Sequence, residues 1–264
     1  MINGLIVYHH DDQKRNEWFI NKCLQELNDT HFSLLYKEES EVLPYIRQNH
    51  IDFVIFRARN YHLLEELESL GIKCFNNSLT NRVANDKYET FLLAKKSGFP
   101  CLNTTLNKRD GIDYPYVIKS VSGHGGQEVY LIKNQEDETK CVLSKHKNYI
   151  YQKYVPQSSD VRLYILNHQL IGAVKRENQD DFRSNYSLGG KVSTYQPAKE
   201  MADIALKVAD LLRSDYIGVD FIIDNANYYL NEIEDPVGAK MLYQTSKIDA
   251  ISLFINDIKK KLLS

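Results

Sequence analysis

The sequence predicts a small parallel α/β domain followed by a larger α+β region. Three patterns point there. Short apolar runs alternate with amphipathic helical stretches up to about residue 77, as in β–α units feeding a parallel sheet. After Asn81 strand-like segments dominate. Near the C-terminus two strand-like runs flank Asp224-Asn225-Ala226-Asn227 and read as a hairpin.

The first strand is the apolar run Leu5 to Tyr8. A helix follows over Arg15 to Leu27, where Trp18, Phe19, Cys23, Leu24 and Leu27 recur at helical spacing. Phe32 to Tyr36 is a second strand and Glu41 to Gln48 a second helix, with Pro44 tolerated in its first turn. Phe53 to Phe56 is continuously apolar, so this third strand is covered on both faces. Tyr61 to Leu70 is helical and Gly71 stops it. Asp86 to Ser97 is helical again, ended by Gly98 and Pro100. Strands then follow at Tyr116 to Lys119, Glu128 to Ile132, Tyr149 to Lys153, Val161 to Leu166 and Leu170 to Lys175, the last two joined by a tight turn at Asn167-His168. Ala198 to Leu212 is a helix, Ile217 to Ile223 and Tyr228 to Glu234 form the hairpin, and a last helix spans Lys247 to Leu263. The expected division is 1–80, 81–155 and 156–264.

The chain has 264 residues, 43% hydrophobic and 26% charged, which suits a folded globular protein that buries a core. A net charge of −2 argues against a general nucleic-acid binder. No apolar stretch approaches the ~20 residues of a membrane span, and the N-terminal run is too short and lacks a basic lead for a signal peptide. Cys23, Cys74, Cys101 and Cys141 are scattered and read as ordinary thiols of a reducing compartment. The expectation is a cytoplasmic protein, with neither nucleic acid nor membrane as partner.

Three constellations carry chemistry. Side chains two apart on a strand share a face, so Glu232 and Glu234 point together and Ile233 points away. With the turn centred on Ala226, Asp220 lies opposite Glu232. Three carboxylates so placed repel unless a cation joins them, and an all-oxygen set suits Mg²⁺. The same acids would also serve as a solvated face of an edge hairpin. Ser120-Val121-Ser122-Gly123-His124-Gly125-Gly126-Gln127 is a glycine-rich loop between strands. Its backbone N–H groups can approach phosphate closely, but no Gly-Lys-Ser/Thr follows as in a Walker loop, and a plain hairpin tip is the alternative. Lys87, Lys119, Arg162, Arg176 and Arg183 supply the cations that a polyphosphate needs, although any one of them alone reads as a surface charge. The histidines form no zinc pattern.

Together these segments resemble the RimK/LysX-like branch of the ATP-grasp superfamily. Arg176 with Asp181-Phe182-Arg183-Ser184-Asn185 and Gly189-Gly190 is similar to that branch's "R…DFRSN…GG" signature. Asp160-Val161-Arg162 is similar to its "D-I-R" element, and Gly218-Val219-Asp220 with Asn231-Glu232-Ile233-Glu234 to its metal hairpin. Asp86-Lys87, Val117-Ile118-Lys119 with the glycine loop, Gln152-Lys153-Tyr154-Val155 and Val54-Ile55-Phe56-Arg57 match further elements in order. The likeness runs from about Phe53 to the C-terminus.

The resemblance implies an ATP-grasp fold, with an N-terminal parallel α/β domain and two α+β lobes enclosing the nucleotide. It implies that Lys87 and Lys119 contact the ATP phosphates, under a lid formed by Gly123, Gly125 and Gly126. Lys153 and Tyr154 form the adenine hinge, Asp160 approaches the sugar and Arg162 belongs to the nucleotide set. Arg183, Ser184 and Asn185 sit near the γ-phosphate, while Asp220, Glu232 and Glu234 hold two Mg²⁺ ions, for which Mn²⁺ can substitute. The activity implied is ligation: a carboxylate takes the γ-phosphoryl group, and an amine then displaces phosphate from the acyl phosphate, with Arg176 and Arg183 stabilising the oxyanion. The substrate would be an amino acid, a peptide or a carrier protein, and family habit allows a homo-oligomer. Alternatives are a kinase of the same fold and a nucleotide-binding regulator without turnover. Glu234 stands where the family has asparagine, which leaves the metal preference open. Lys153 stands where the hinge often carries glutamate. Asp235-Pro236-Val237-Gly238 replaces a serine-proline-glycine segment that borders the substrate.

Overall fold

The computed structural model describes residues 1–107, 111–125, 128–156, 158–177 and 191–264. The N-terminal part runs β1 (Ile2–Tyr8), α1 (His10–Leu27), β2 (Phe32–Glu38), a 3₁₀ turn at Glu39–Glu41, α2 (Val42–Ile46), β3 (Phe53–Phe56), α3 (Tyr61–Ser69) and β4 (Lys73–Phe75). The strands form a parallel sheet in the order β2-β1-β3-β4. Helix α1 begins five residues before the expected start. The His9 side chain accepts from the Asp11 backbone, and Asp11 and Asp12 occupy the first turn, where negative charge complements the helix dipole. Gly4 lets β1 and β3 pair closely: a Cβ there would lie 2.1 Å from the Phe53 ring.

Two helices, α4 (Ser78–Ala84) and α5 (Lys87–Lys96), lead to the central sheet. The Asn77 side chain caps α4 and the Asp86 side chain caps α5. The central sheet contains β5 (Thr104–Thr105), β6 (Tyr116–Ser120), β7 (Val129–Ile132) and β8 (Tyr149–Lys153), with α6 (Gln135–Lys140) between β7 and β8. It is antiparallel, in the order β5-β8-β6-β7. The third sheet comprises β9 (Ser159–Leu166), β10 (Gln169–Glu177), β11 (Lys191–Thr194), β12 (Tyr216–Asp224) and β13 (Asn227–Glu234), in the order β11-β10-β9-β12-β13. Helix α7 (Lys199–Leu212) precedes β12, and α8 (Lys240–Thr245) and α9 (Ala250–Leu263) close the chain.

One face of the N-terminal sheet (Ile6, Tyr8, Phe53, Ile55) and helix α1 share a core with Tyr164, Tyr216 and helix α9. Ile251, Phe254, Ile255 and Ile258 of α9 are buried there, each contributing about 1.5–3 kcal/mol of apolar burial. The other face (Leu5, Val7, Val54, Phe56) packs on α3, so Phe53–Phe56 is covered on both sides as its composition predicts. The third sheet packs its remaining face on α7. The central sheet keeps a small core of its own around Tyr116, Ile118 and Tyr149.

Candidate active site

The C-terminal hairpin turns at Asn225-Ala226, because Asp224 pairs with Asn227. An uninterrupted ladder from that turn would place Asp220 opposite Asn231. A bulge between Asp220 and Phe221 adds one residue to β13, and Asp220 faces Glu232 after all. Ile233 points into the core, 2% exposed, which leaves Glu232 and Glu234 on the opposite face.

The three acids do not share one environment. Asp220 is 2% exposed. Its Oδ1 accepts from Arg162 Nε and its Oδ2 from Arg162 Nη2, both at 2.7 Å; Arg176 Nη2 adds a third bond at 2.6 Å. Arg162 also donates to Glu234 at 2.6 Å, and Arg176 donates to Asp160 through Nε at 2.7 Å. The register explains the cluster: Asp220 of β12 lies beside Arg162 of β9, and Arg176 of β10 beside Asp160 of β9. Burial works to raise the Asp220 carboxyl, but the two guanidiniums outweigh it and hold it down at about 2. Burial dominates at Asp160 and pushes it up to about 6, against the pull of Arg176.

Glu232 instead faces lysines. Lys87 and Lys119 each lie 3.8 Å from its carboxylate, and Lys119 donates to the Asn231 side chain at 3.0 Å. Burial pulls the Lys119 ammonium below its ordinary value, with Glu232 opposing. Lys87 starts α5 and donates to the Gly123 carbonyl, which ties it to the glycine loop. Within that loop Gly125 has φ +66°, a left-handed conformation that glycine adopts freely. Lys153 closes β8, its N–H donating to the Asn103 carbonyl at 3.0 Å, and Tyr154 follows it. Gly126, Arg183, Ser184 and Asn185 lie outside the described residues.

A cavity of about 270 Å³ adjoins the cluster. Arg162, Arg176 and Glu234 line it from the third sheet, His124 and Gly125 from the glycine loop, and Tyr8, Arg57 and Arg59 from the N-terminal sheet. Sequence reading singled out neither Arg59 nor the support beneath the cavity. Asp235 is 3% exposed, and its carboxylate accepts from Asn76 and Asn81, each at 2.8 Å. Asn85 donates to its carbonyl, also at 2.8 Å. This knot fixes the residues after the hairpin against α4, and the only sequence trace of it is the recurrence of asparagine at 76, 77, 81 and 85.

Among the described residues, no three His, Cys, Asp or Glu side chains are gathered closely enough to cage a metal ion. Asp220 is saturated by arginine, while Glu232 and Glu234 offer hard oxygen donors on one face. That set suits Mg²⁺, which commonly takes one or two carboxylates together with substrate phosphates rather than an all-protein cage.

A family model described as the RimK-like ATP-grasp domain matches residues 87–258. The chain is 28% identical to an uncharacterised protein of Mycoplasma genitalium, MG011, over 99% of this chain and 96% of that one. It is 26% identical to a probable alpha-L-glutamate ligase of Haemophilus influenzae, over 90% and 86% of the two chains. Its fold superposes on a D-alanine–D-alanine ligase from Bacillus anthracis complexed with ATP, with a TM-score of 0.76 at 14% identity over 100% and 97% of the chains. The expected ATP-grasp fold is therefore present, and the chain belongs to the RimK-like ATP-grasp family.

Proposed function

We infer that the chain is an ADP-forming ligase that uses Mg-ATP to join a carboxylate to an amine through an acyl phosphate. The observation that carries this reading is the grouping of Lys87, Lys119 and Glu232 beside an arginine-rich cavity, at the junction of all three sheets. The two lysines would hold phosphate oxygens and align the γ-phosphoryl group; such transfer depends on charge and position more than on covalent help. Mg²⁺ held by Glu232 and Glu234 would neutralise developing charge on the phosphates, and Asp220 would complete the set as Arg162 and Arg176 turn from it toward anionic oxygens. Arg176, with Arg183, would then stabilise the oxyanion formed when the amine attacks. The glycine loop, with Gly123, Gly125 and Gly126, would close over the phosphates and exclude water from the acyl phosphate.

The remaining roles stand as proposals: Lys153 and Tyr154 at the adenine, Asp160 at the sugar, Ser184 and Asn185 near the γ-phosphate. We take 1–80, 81–155 and 156–264 as the three functional lobes. The substrate is an amino acid, a peptide or a carrier protein, the compartment is the cytoplasm, and a homo-oligomer fits the family. Among the described residues no helix is long and apolar enough to cross a membrane.

The deciding experiment measures ADP release with a panel of carboxylates and amines, followed by mass spectrometry of the products. ADP formation that requires both partners and yields an amide is expected. A stable phosphorylated product without an amide would replace the ligase with a kinase.

A further inference from the structure

We propose, on the ligase reading above, that His124 of the glycine loop is the general base that takes a proton from the attacking amine. His124 lines the 270 Å³ cavity together with Arg162, Arg176 and Glu234. It follows Gly123, whose carbonyl accepts from the Lys87 ammonium. The ring therefore stands at the border between the lysines assigned to the phosphates and the cavity. The carbonyl carbon of an acyl phosphate, one oxygen removed from phosphorus, belongs at that border, and an amine in the cavity meets it there. His124 is exposed, so a proton taken from the amine can pass on to water.

The other ionisable groups of the cavity wall are already committed. Its arginines offer donors only. Asp12 is paired with Arg59 at 2.7 Å and lies 3.4 Å from Arg15. Glu234 accepts from Arg162 at 2.6 Å. The Tyr8 hydroxyl accepts from Arg57 at 3.2 Å, and burial raises its pKa, so it keeps its proton. Lys240 donates to the Arg15 carbonyl at 2.8 Å. The His124 ring, by contrast, makes no hydrogen bond or ion pair among the described residues, and no described carboxylate, Glu234 included, pairs with it. Burial, then the charge of Arg59, holds the imidazole below its ordinary pKa; Asp12 and Glu234 oppose this, and Lys87 adds to it. At neutral pH the ring is an acceptor with a free lone pair.

An amine arrives as an ammonium ion and loses two protons in becoming an amide nitrogen. His124 takes the first, which frees the nitrogen lone pair. That pair attacks the acyl carbon, and the π electrons of the carbonyl move to its oxygen. When they return, the bond from carbon to the phosphate oxygen breaks and phosphate leaves with the bonding pair. The second proton goes to the departing phosphate, and the imidazolium gives the first to water.

The test compares two nucleophiles on the full chain. Hydroxylamine is unprotonated at neutral pH and attacks acyl phosphates without a base, giving a hydroxamate that iron(III) colours. With Mg-ATP and each carboxylate of the ADP-release panel, the hydroxamate reports the acyl phosphate, and the amide formed with the panel's amines reports the complete reaction. His124→Gln and His124→Asn should slow amide formation by about 10²–10⁴-fold and keep most of the hydroxamate yield. Because the ring holds no bond, both variants should melt as the wild type does. Equal loss of the two products would put His124 to work at the phosphates and overturn the proposal, as would undiminished amide formation in either variant. A wild-type chain that yields neither product with any carboxylate would instead sink the ligase reading.

Discussion

Asp220 and Glu232 face each other across one hairpin, yet the structure assigns them different work, and a pair of substitutions separates the two. In Asp220→Asn the three bonds from Arg162 and Arg176, at 2.6–2.7 Å, lose their charged acceptor. Hydrogen bonds to charged groups contribute about 1.5–3 kcal/mol each, and breaking a buried ion pair while leaving its partner costs about 3–5 kcal/mol. For a chain of this size that corresponds to a melting-point drop of roughly 6–20 °C. Glu232→Gln disturbs only two lysine contacts at 3.8 Å around a partly exposed carboxylate, so its cost stays within about 1 kcal/mol. Turnover should fall by orders of magnitude in both. Thermal melts followed by circular dichroism, run beside ADP-release assays, give the two readouts. A melting point for Asp220→Asn equal to the wild type would refute the view that Asp220 neutralises buried arginines. Full turnover in Glu232→Gln would refute the phosphate-site assignment.

Three further outcomes are expected. Gly218→Ala would place a Cβ 2.8 Å from Val237 and 3.1 Å from Arg162 Cδ, so it should lose about 1–3 kcal/mol in urea unfolding and lower turnover by displacing Arg162. Asp160 has its folded-state carboxyl raised to about 6, so the unfolded chain releases this proton first, and stability attributable to Asp160 declines as pH rises from about 4 to about 6. Asp160→Asn should flatten that slope in unfolding curves taken across this range, and an unchanged slope would exclude Asp160 as its source. Asp235→Asn turns an amide toward the donors of Asn76 and Asn81, so chemical unfolding should show a loss of about 1–3 kcal/mol; a neutral outcome would mean the knot is not holding the hairpin against α4.

Periodic apolar segments made most of the architecture legible before the structure. The continuous run Phe53–Phe56 is covered on both faces, and α7, with its apolar stripe, packs where such a stripe must. Some short elements escaped, namely β4, α4, α6 and α8, because so short a span carries less periodic signal than one capping side chain; Asn77 at α4 and Asn134 at α6 are such caps. The facing of Asp220 and Glu232 was expected from a turn centred on Ala226. The chain reaches it by a two-residue turn plus a bulge, a compensation that no local pattern announces. The shared face of Glu232 and Glu234 was also legible, but the counter-charge that draws Asp220 into a separate arginine cluster was not: Arg162 reaches Asp220 from a neighbouring strand 58 residues away. The buried setting of Arg57 is built from three distant segments, at Tyr8, Phe19 and Val237, and sequence spacing cannot show that they meet.

The last helix, α9, completes the core beneath the first sheet. During synthesis the opening strands are made long before the residues that seal them. Domains tend to fold as they emerge, but here Phe19, Phe53 and Tyr216 wait for Phe254 and Ile258 to leave the ribosome. A chain cut at residue 249, just before α9, would carry every residue of the hairpin and the arginine cluster, and would still expose a greasy floor to chaperones and proteases.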